Sequence, residues 1–545
     1  MRNFFSKVST AHRFLFAILA GLMLAVSFPK FSVSGFAWIA PGVILFCGIG
    51  KSGRQRFWIG YVAGLAHFLL SLNWLLSIPF PAGAVAAWLA LSGYLAVYLA
   101  LWVWLCWRIF PKPGPGFTLK EFSNSTWWQR ARWSFCCALL WIAFEMCMAR
   151  MFTGFPWNFL GITQYKLAPL IQVASVTGVY GVSFLVVWFS VSLGSAWLLL
   201  VQRPGSSRFW CGEILLPTLV STIIFAIGAS RISPDRPEPR QFKLALVQPS
   251  IPQTLIFDPS QDETRFNRLI QLSEMALAEK PNVLVWPEAS TPPLDQNKFD
   301  ALTRMIASNH VWMVIGSDDV SASPTKQGDI QTNYYNGSFL FGPDGTIVAR
   351  YHKRRLVIFG EYIPLMRWLP FTKWLTPIEG GFTAGPGPVP FQMEEPRAKT
   401  SVLICFEDAF PQYAREHVET DTDFLLNLTN DGWFGERSAQ WQQAANALFR
   451  AVENGLPIVR CTNNGLTCWA DKFGRLRKYF SSRSGDVYGP GFLIAQIPLL
   501  DENEHRAPTF YRQHGDWFGW GCVGSSLLLI GFSFRKKREV PPASV

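Results

Sequence analysis

The chain has 545 residues, of which 50% are hydrophobic, 15% aromatic and only 16% charged. This length exceeds one ordinary soluble domain and this composition is too apolar for a wholly soluble protein, so we expect part of the chain in a lipid bilayer. The formal net charge of +12 does not indicate a nucleic-acid partner, because the basic residues form short runs beside apolar stretches, at 51–56, 130–132 and 535–538.

Apolar stretches long enough to span a bilayer lie on both sides of one long polar segment. About seven precede it and one follows it, at residues 12–28, 35–50, 57–79, 84–110, 133–152, 180–201, 211–230 and 517–534. The predicted domains are therefore a transmembrane helical domain over 1–236, a polar domain over 237–512, and a C-terminal transmembrane helix with a basic cytoplasmic tail over 513–545.

The basic loops predict the orientation of these spans. Lys and Arg cluster near residues 2–13, 51–56, 112–132, 203–208 and 535–538, and charge-poor loops such as 78–83 alternate with them. Because Lys and Arg concentrate on the cytoplasmic side, both ends are expected in the cytoplasm and the polar domain on the opposite face. Small residues at 25–27 are also typical of a signal-peptide cleavage site, but a cleaved first span would break this alternation.

The polar segment alternates strand-like and helical patterns, which predicts an α/β domain. Runs rich in β-branched or aromatic residues lie at 243–247, 283–286, 311–315, 338–341, 346–351, 400–404, 424–428 and 458–460. Helical patterns lie between several of them, at 263–279, 299–309 and 440–453.

Cys405 follows the strand-like run 401–404 (SVLI) and precedes 406–408 (FED). A side chain at a strand-to-helix turn would be exposed and would feel the dipole of the helix N-terminus, which lowers a thiol pKa and enriches the nucleophilic thiolate. A buried core cysteine at the end of a strand is the alternative interpretation of this residue alone.

Glu288 and Lys353 stand in similarly ambiguous places. Glu288 follows 283–287 (VLVWP), so its carboxylate leaves the sheet at a strand's C-terminal edge, and beside Trp286 and Pro287 its charged form should be disfavoured, which would make it a better base. A surface-loop glutamate is the alternative. Lys353 lies in a run of charged residues, which is normally typical of a solvated face. The apolar stretch 356–364 (LVIFGEYIP) follows this run at once. A charged side chain in apolar surroundings needs a partner or a function.

A carboxylate, an amine and a thiol are the base, oxyanion partner and nucleophile that a cysteine-dependent acyl transfer needs. Cys and His residues nowhere have the spacing of a zinc site, so we expect neither a metal nor a cofactor. Cys461 and Cys468 could form a disulfide if their domain lies outside the cytoplasm, which the sequence leaves open.

Three ionisable residues interrupt the apolar stretches, namely Glu145 and, as weaker signals, His67 and Glu213. Glu145 is an ionisable group inside a predicted span, which normally signals function because an unpaired charge there is costly. A structural pairing with Arg150 is the simpler interpretation. His67 is a weaker case, which we interpret as a packing residue.

The three segments around Glu288, Lys353 and Cys405, in this order, resemble the nitrilase, or carbon-nitrogen hydrolase, superfamily. The resemblance covers residues 241–498 and includes 427–435 (NLTNDGWFG) and 460–467 (RCTNNGLT). It implies that the polar domain is a four-layer αββα sandwich with a Glu288-Lys353-Cys405 catalytic triad. The whole chain is then expected to combine a multi-span α-helical membrane domain with this nitrilase-like sandwich domain.

Within that superfamily, the number of spans, the arm 353–364 and the step 462–465 (TNNG) resemble the bacterial apolipoprotein N-acyltransferase family over nearly the whole chain. The resemblance implies transfer of a fatty acyl chain from a phospholipid to the N-terminal α-amine of a diacylglyceryl-modified apolipoprotein, through a thioester on Cys405. It also implies a multi-pass protein of the bacterial inner membrane with a periplasmic catalytic domain. We expect a monomer.

The resemblance assigns further roles. Glu288 would be the general base and Lys353 would stabilise the oxyanion, while Glu361 and Glu407 would orient or assist the triad. Trp433 would help to shape the pocket.

Three positions depart from the family pattern. Phe406 stands where the family often has Tyr, Phe257 stands where Trp is expected, and Ile358 replaces a usual Pro. None of the three belongs to the triad, so they bear on lipid preference more than on reaction class.

Two other functions fit parts of the sequence. A membrane-tethered amidase or nitrilase of the same superfamily would need only one anchor, whereas about eight spans favour a substrate from the lipid phase. A transporter with an inactive nitrilase-like domain would carry several paired charges within its spans, and here such charges are few.

Overall fold

The computed structural model describes residues 9–111, 118–202, 211–232, 240–256, 258–324, 330–363, 381–499 and 506–535. The chain forms two compact units. The first comprises Met1–Asn73, Ala87–Ile232 and His514–Val545, and the second comprises Trp74–Ala86 and Ser233–Gln513. The sequence did not indicate that the segment Trp74–Ala86 groups with the polar domain.

The first unit is helical. Its helices are α1 (Thr10–Val26), α2 (Ala40–Cys47), α3 (Gly53–Ser71), α4 (Pro81–Arg108), α5 (Leu119–Asn124), α6 (Trp127–Met148), α7 (Ala168–Ile171), α8 (Ala174–Thr177), α9 (Val179–Gln202), α10 (Cys211–Arg231) and the C-terminal helix Trp517–Arg535. Within the described ranges, five helices are long and apolar enough to cross a membrane: α4, α6, α9, most of α10 and the C-terminal helix.

The remaining predicted spans correspond to shorter or less apolar helices. The stretch 35–50 forms the 3-10 turn Ser34–Trp38 and the eight-residue helix α2. At 1.5 Å per residue, α2 is about 12 Å long, too short to cross a hydrocarbon core of about 30 Å. Helices α1 and α3, with 17 and 19 residues, occupy the stretches 12–28 and 57–79. The total number of spans stays a prediction.

The second unit contains two six-stranded sheets. Its strands are β1 (Gln241–Gln248), β2 (Val283–Val285), β3 (Trp312–Pro324), β4 (Ile330–Phe341), β5 (Ile347–His352), β6 (Pro390–Met393), β7 (Ala398–Ile404), β8 (Phe424–Thr429), β9 (Ile458–Thr462), β10 (Cys468–Ala470), β11 (Leu476–Tyr479) and β12 (Gly491–Pro498). The sheet orders are β12-β1-β2-β3-β4-β5 and β11-β10-β9-β8-β7-β6. Strands β1 to β3 are parallel, as are β7 to β9.

Helices cover the outer faces of these sheets. The helices are α11 (Gln253–Ile256), α12 (Asp262–Leu277), α13 (Gln296–Asn309), α14 (Pro411–Glu416), α15 (Ala439–Asn454) and α16 (Phe510–His514). Apolar residues of α12 and α13 pack on the first sheet, and α15 packs on β9 and β10 of the second.

The main core lies between the two sheets. Side chains of one sheet, such as Leu246 and Val314, are buried in the same cluster as Ile404 and Leu426 of the other. Apolar residues on both faces of each sheet explain the near-continuous hydrophobic runs of the parallel strands. The layers are helix, sheet, sheet and helix, which confirms the predicted αββα sandwich.

Candidate active site

The site is built at the ends of strands. Glu288 lies three residues after β2, Cys405 follows β7 directly, and Asn430 follows β8 directly. The strands β2, β7 and β8 that precede these residues each belong to a set of parallel strands. The C-terminal edge of such a set is the usual place for reacting groups in α/β sheets. Lys353 follows β5, which pairs antiparallel with β4.

The Lys353 ammonium lies between two carboxylates. Its Nζ donates to Glu288 Oε1 at 3.1 Å and to Glu361 Oε1 at 2.9 Å. The Lys353 side chain is 1% exposed, and those of Glu288 and Glu361 are 6% and 10% exposed. Charges buried to this degree are stable only when paired and hydrogen-bonded, so this cluster is held by its own contacts.

Asn336 is a member of the site that sequence reasoning missed. Its side-chain amide donates to Glu288 Oε1 and to Glu361 Oε1, both at 2.8 Å, and its backbone carbonyl accepts from the Lys353 backbone amide at 2.8 Å. Asn336 thus fixes all three charged residues. It lies within β4 beside Gly337 and Ser338, and only a buried polar residue in a strand-like run could have pointed to it.

The second oxygen of Glu288 contacts the turn after β8. Glu288 Oε2 accepts from the Asn430 backbone amide at 3.0 Å. Both carboxylate oxygens of Glu288 are therefore oriented by donors from separate strands. The arrangement leaves Glu288 as a fixed acceptor, which is what a general base requires.

Cys405 adopts a strained backbone conformation at a sharp turn. Its φ is +55°, in the left-handed region that non-glycine residues rarely occupy. The Asn427 side-chain amide donates to the carbonyl of Cys405 at 2.9 Å and to that of Leu403 at 3.2 Å, and Arg460 donates to Asn427 Oδ1 at 2.9 Å. This buried polar support holds the Cys405 turn in place.

The expectation that Cys405 has a lowered thiol pKa is wrong. Cys405 is buried and starts a 3-10 helix of only five residues. Burial raises the pKa of the Cys405 thiol, and the negative charge of Glu288 raises it further, while Lys353 lowers it without offsetting the rise. The resting residue is therefore a neutral thiol that needs a base.

The surroundings keep Lys353 charged, whereas they keep Cys405 neutral. Burial lowers the pKa of Lys353, but the negative charges of Glu288 and Glu361 more than offset this effect, so that the Lys353 pKa lies well above its ordinary value. Lys353 stays positively charged beside Cys405, as an oxyanion partner must.

Glu407 is completely buried and connects the Lys353 arm to the Cys405 turn. Its carboxylate accepts from the backbone amides of Arg354 and Arg355, at 2.8 and 2.9 Å, and from that of Ile404 at 2.8 Å. The Tyr351 hydroxyl donates to it as well, at 3.0 Å. The contacts of Glu407 orient the segments that carry Lys353 and Cys405.

The other implied residues lie close to this cluster or outside the described residues. The Phe406 ring centroid is 5.8 Å from Lys353 Nζ. Trp433 is half-buried on the 3-10 turn Asp431–Phe434, which follows Asn430. Phe257 is not among the residues that the structure describes.

One further expectation is corrected, and one question that the sequence leaves open is answered. Trp286 does not form a wall beside Glu288, because its ring is buried in the outer core near Phe266 and its Nε1 donates to Ser273 Oγ at 2.8 Å. Cys461 and Cys468 are both free and buried, and the Cys461 thiol donates to the Val247 carbonyl at 3.3 Å.

Comparisons with known proteins match both parts of the chain. The model of the apolipoprotein N-acyltransferase N-terminal domain matches residues 20–192, and that of the carbon-nitrogen hydrolases matches 243–493. An apolipoprotein N-acyltransferase of Geobacter metallireducens is 34% identical over 96% of this chain and 96% of its own length. The chain belongs to the apolipoprotein N-acyltransferase family.

Further members of the family and one solved structure are similar to the chain. An apolipoprotein N-acyltransferase of Rickettsia prowazekii is 32% identical over 84% of this chain and 86% of its own. An amidase from Nesterenkonia sp. is 15% identical with a TM-score of 0.34, over 48% of this chain and 92% of its own. Family membership and the five apolar helices identify the chain as a membrane protein and as an acyltransferase of the nitrilase superfamily.

Proposed function

We propose that the protein transfers a fatty acyl chain from a phospholipid to the N-terminal α-amine of the diacylglyceryl-modified cysteine of an apolipoprotein, through a thioester on Cys405. The observation that carries this proposal is the Lys353 ammonium, fixed by Glu288 and Glu361 next to a buried thiol. Membership of the family over both halves of the chain supports the choice of substrates.

In the first half-reaction, Glu288 takes the Cys405 proton while the sulfur attacks an ester carbonyl of the phospholipid. The carbonyl oxygen becomes an oxyanion, which the charged Lys353 amine stabilises. The tetrahedral adduct then releases the lysophospholipid alkoxide, which receives the proton from Glu288. A thioester on Cys405 and an unprotonated Glu288 remain.

In the second half-reaction, the α-amine of the lipoprotein attacks the thioester carbonyl and gives one proton to Glu288. The same Lys353 amine stabilises the second oxyanion. When the tetrahedral adduct collapses, the carbon-sulfur bond breaks and the Cys405 sulfur takes the proton back from Glu288. The product is an amide, and the enzyme returns to its neutral thiol.

The proposed order of events requires that neither water nor a second lipid alcohol replaces the amine. A membrane-tethered amidase would let water attack the thioester, and a transporter would form no thioester at all. The match of the N-terminal domain model to residues 20–192 favours the acyltransferase over both alternatives.

Mass spectrometry of the purified protein after exposure to phospholipid tests the thioester. We expect a mass increase of one acyl chain on the peptide that carries Cys405, and its loss when a diacylglyceryl-cysteine peptide with a free α-amine is added. Hydroxylamine should also remove the adduct, because it cleaves thioesters. An acyl mass on any other residue, or none at all, contradicts the mechanism.

We also propose that the protein is a monomeric, multi-pass protein of the bacterial inner membrane with its catalytic unit in the periplasm. The alternation of basic and charge-poor loops supports this orientation.

Cysteine labelling in intact spheroplasts tests the orientation. Gln271 is exposed on α12, and Arg54 is exposed in the first turn of α3, within the basic segment 51–56. A membrane-impermeant maleimide should label Gln271→Cys but not Arg54→Cys, whereas both should react after the membrane is opened. The unsubstituted protein is the control for its native thiols. The reverse pattern would overturn the proposed orientation.

A further inference from the structure

A cavity within the first unit lies among α1, α3, α4, α6 and the loop after α6. Its walls are mostly apolar or aromatic and include Phe28, Phe68, Leu99 and Trp102. About 50 Å³ of the cavity is open to the centre of a water-sized group. This volume is several times the roughly 10–15 Å³ that one water molecule needs on the same measure. The cavity can therefore hold a polar group together with the start of an apolar chain.

Three buried polar side chains face this apolar cavity. His67, Glu145 and Asn158 are only 3%, 4% and 6% exposed. Each has one buried atom with no hydrogen-bond partner among the described residues, namely His67 Nδ1, Glu145 Oε2 and Asn158 Oδ1. Leaving such atoms unpaired costs free energy, so three of them in one cavity indicate a bound group that pairs with them.

The protein holds Glu145 without a positively charged partner. Glu145 Oε1 accepts from the Leu160 amide at 2.8 Å and from Trp141 Nε1 at 2.9 Å, and the Ser183 hydroxyl lies near the carboxyl. No ion pair to Glu145 occurs within the described ranges. These contacts fix the carboxyl with neutral donors and place no positive charge beside it.

The suggested pairing of Glu145 with Arg150 is wrong. The Arg150 guanidinium instead pairs with Asp516 and donates to the Tyr180 hydroxyl at 3.4 Å. The other acidic residue of the first unit's apolar helices, Glu213, pairs with Arg130, and both are fully buried. Glu145 thus differs from Glu213 in lacking a cation.

We propose that this cavity binds the primary ammonium group of a lipid. A primary ammonium carries one positive charge and three N–H donors, which match one carboxylate charge and the three acceptor atoms of Glu145, Asn158 and His67. The wall also contains aromatic residues such as Trp102, a residue type whose rings attract cations. A quaternary ammonium fits poorly because it has no N–H group.

The surroundings of the cavity favour a ligand with hydrocarbon chains. The half-buried rings of Tyr98 and Phe144 line the cavity at a centroid separation of 6.2 Å. Beyond them, the Phe152 side chain is 76% exposed, and its ring lies 5.7 Å from that of Tyr94. Acyl chains attached to the ammonium group can pack along these rings.

Two lipids could supply this ammonium: a phospholipid with an ethanolamine head group, or a lipid-modified cysteine with a free α-amine. Native mass spectrometry of the full-length, delipidated Cys405→Ala protein separates them, because no acyl transfer can then consume the lipid. The binding proposal is independent of the proposed function. One arm compares ethanolamine and choline phospholipids with identical acyl chains, and the other compares a diacylglyceryl-cysteine peptide with its N-acetylated form.

We expect the primary amine to bind at least about 10-fold more tightly than its matched control in one arm, since a hydrogen bond to a charged group has this magnitude. Glu145→Gln, which keeps the shape but removes the charge, should abolish this preference. Asn158→Ala should weaken binding of the amine about 10-fold without changing that of the choline lipid.

Ser134→Ala is the matched control, because Ser134 is buried on α6, its hydroxyl has no hydrogen-bond partner among the described residues, and it does not line the cavity. Thermal unfolding verifies that each variant is folded. If Glu145→Gln does not fold, Asn158→Ala tests the proposal in its place. Equal binding of amine and control lipids in both arms, or a preference that persists in Glu145→Gln and Asn158→Ala, overturns the proposal.

Discussion

Cys405→Ala should abolish acyl transfer, by at least about 10,000-fold, while the protein still folds in the membrane. In the proposed mechanism the thiol supplies the covalent intermediate, and no neighbouring side chain would replace its sulfur. Alanine removes only one atom from a buried position, so we expect little effect on the fold. The measurement is formation of the N-acyl lipoprotein from phospholipid and a diacylglyceryl-cysteine peptide.

Cys461→Ala is the matched control, because Cys461 is an equally buried free thiol in the same unit that donates to backbone carbonyls instead of facing the charged cluster. This variant should stay active. Cys405→Ser should be nearly as inactive as Cys405→Ala, since Glu288 would have to deprotonate a far weaker acid. Normal turnover in Cys405→Ala, or loss of activity in Cys461→Ala instead, excludes Cys405 as the nucleophile.

Lys353→Met should slow acylation of Cys405 by on the order of 100-fold or more, as loss of an oxyanion donor does in other enzymes. Phospholipid binding should change much less, because the ammonium acts on the oxyanion of the transition state. Single-turnover acylation measures this step directly. Glu361→Gln should have a smaller effect, because it disturbs the position of Lys353 but leaves its charge.

Removing the Lys353 charge also leaves Glu288 and Glu361 as two uncompensated buried carboxylates, which alone could impair the base. The double variant Lys353→Met/Glu361→Gln separates the two effects, because it restores the original net charge of the cluster. If Lys353 stabilises the oxyanion, the double variant stays as slow as Lys353→Met. Recovery toward the normal rate would falsify that role and leave Lys353 as a structural counter-charge.

Much of the catalytic unit's fold follows from short apolar runs in the sequence. Strands such as β1, β7 and β8 were predicted because they are buried on both faces and therefore contain continuous hydrophobic residues. Strands β6, β10 and β11 were missed because they have only three or four residues, and three of the four residues of β11 are exposed. Strand β12 was missed although it has eight residues and is largely apolar. Runs as short as β6, β10 and β11 rarely carry enough hydrophobic pattern for such a prediction.

Some residues of the candidate site could also be predicted from the sequence, and others could not. Glu288, Lys353 and Cys405 were recognisable because each ends a strand-like run, and their resemblance to a family joined them. Asn336 comes from the interior of β4 and contacts the other residues only after the chain folds, so no local pattern indicates it. The thiol pKa was misjudged because burial and a neighbouring charge, neither visible in sequence, outweigh the short helix that follows.

The protonated state of Cys405 has a consequence for the durability of the enzyme. Oxidants and disulfides attack thiolates, so a nucleophile that is permanently ionised would be vulnerable in the oxidising compartment to which the proposed orientation assigns it. In the proposed mechanism the buried Cys405 thiol gives its proton to Glu288 only as its sulfur attacks a bound ester, so it would present almost no target between turnovers. Such an enzyme can use sulfur chemistry outside the cytoplasm without a reducing partner to restore it.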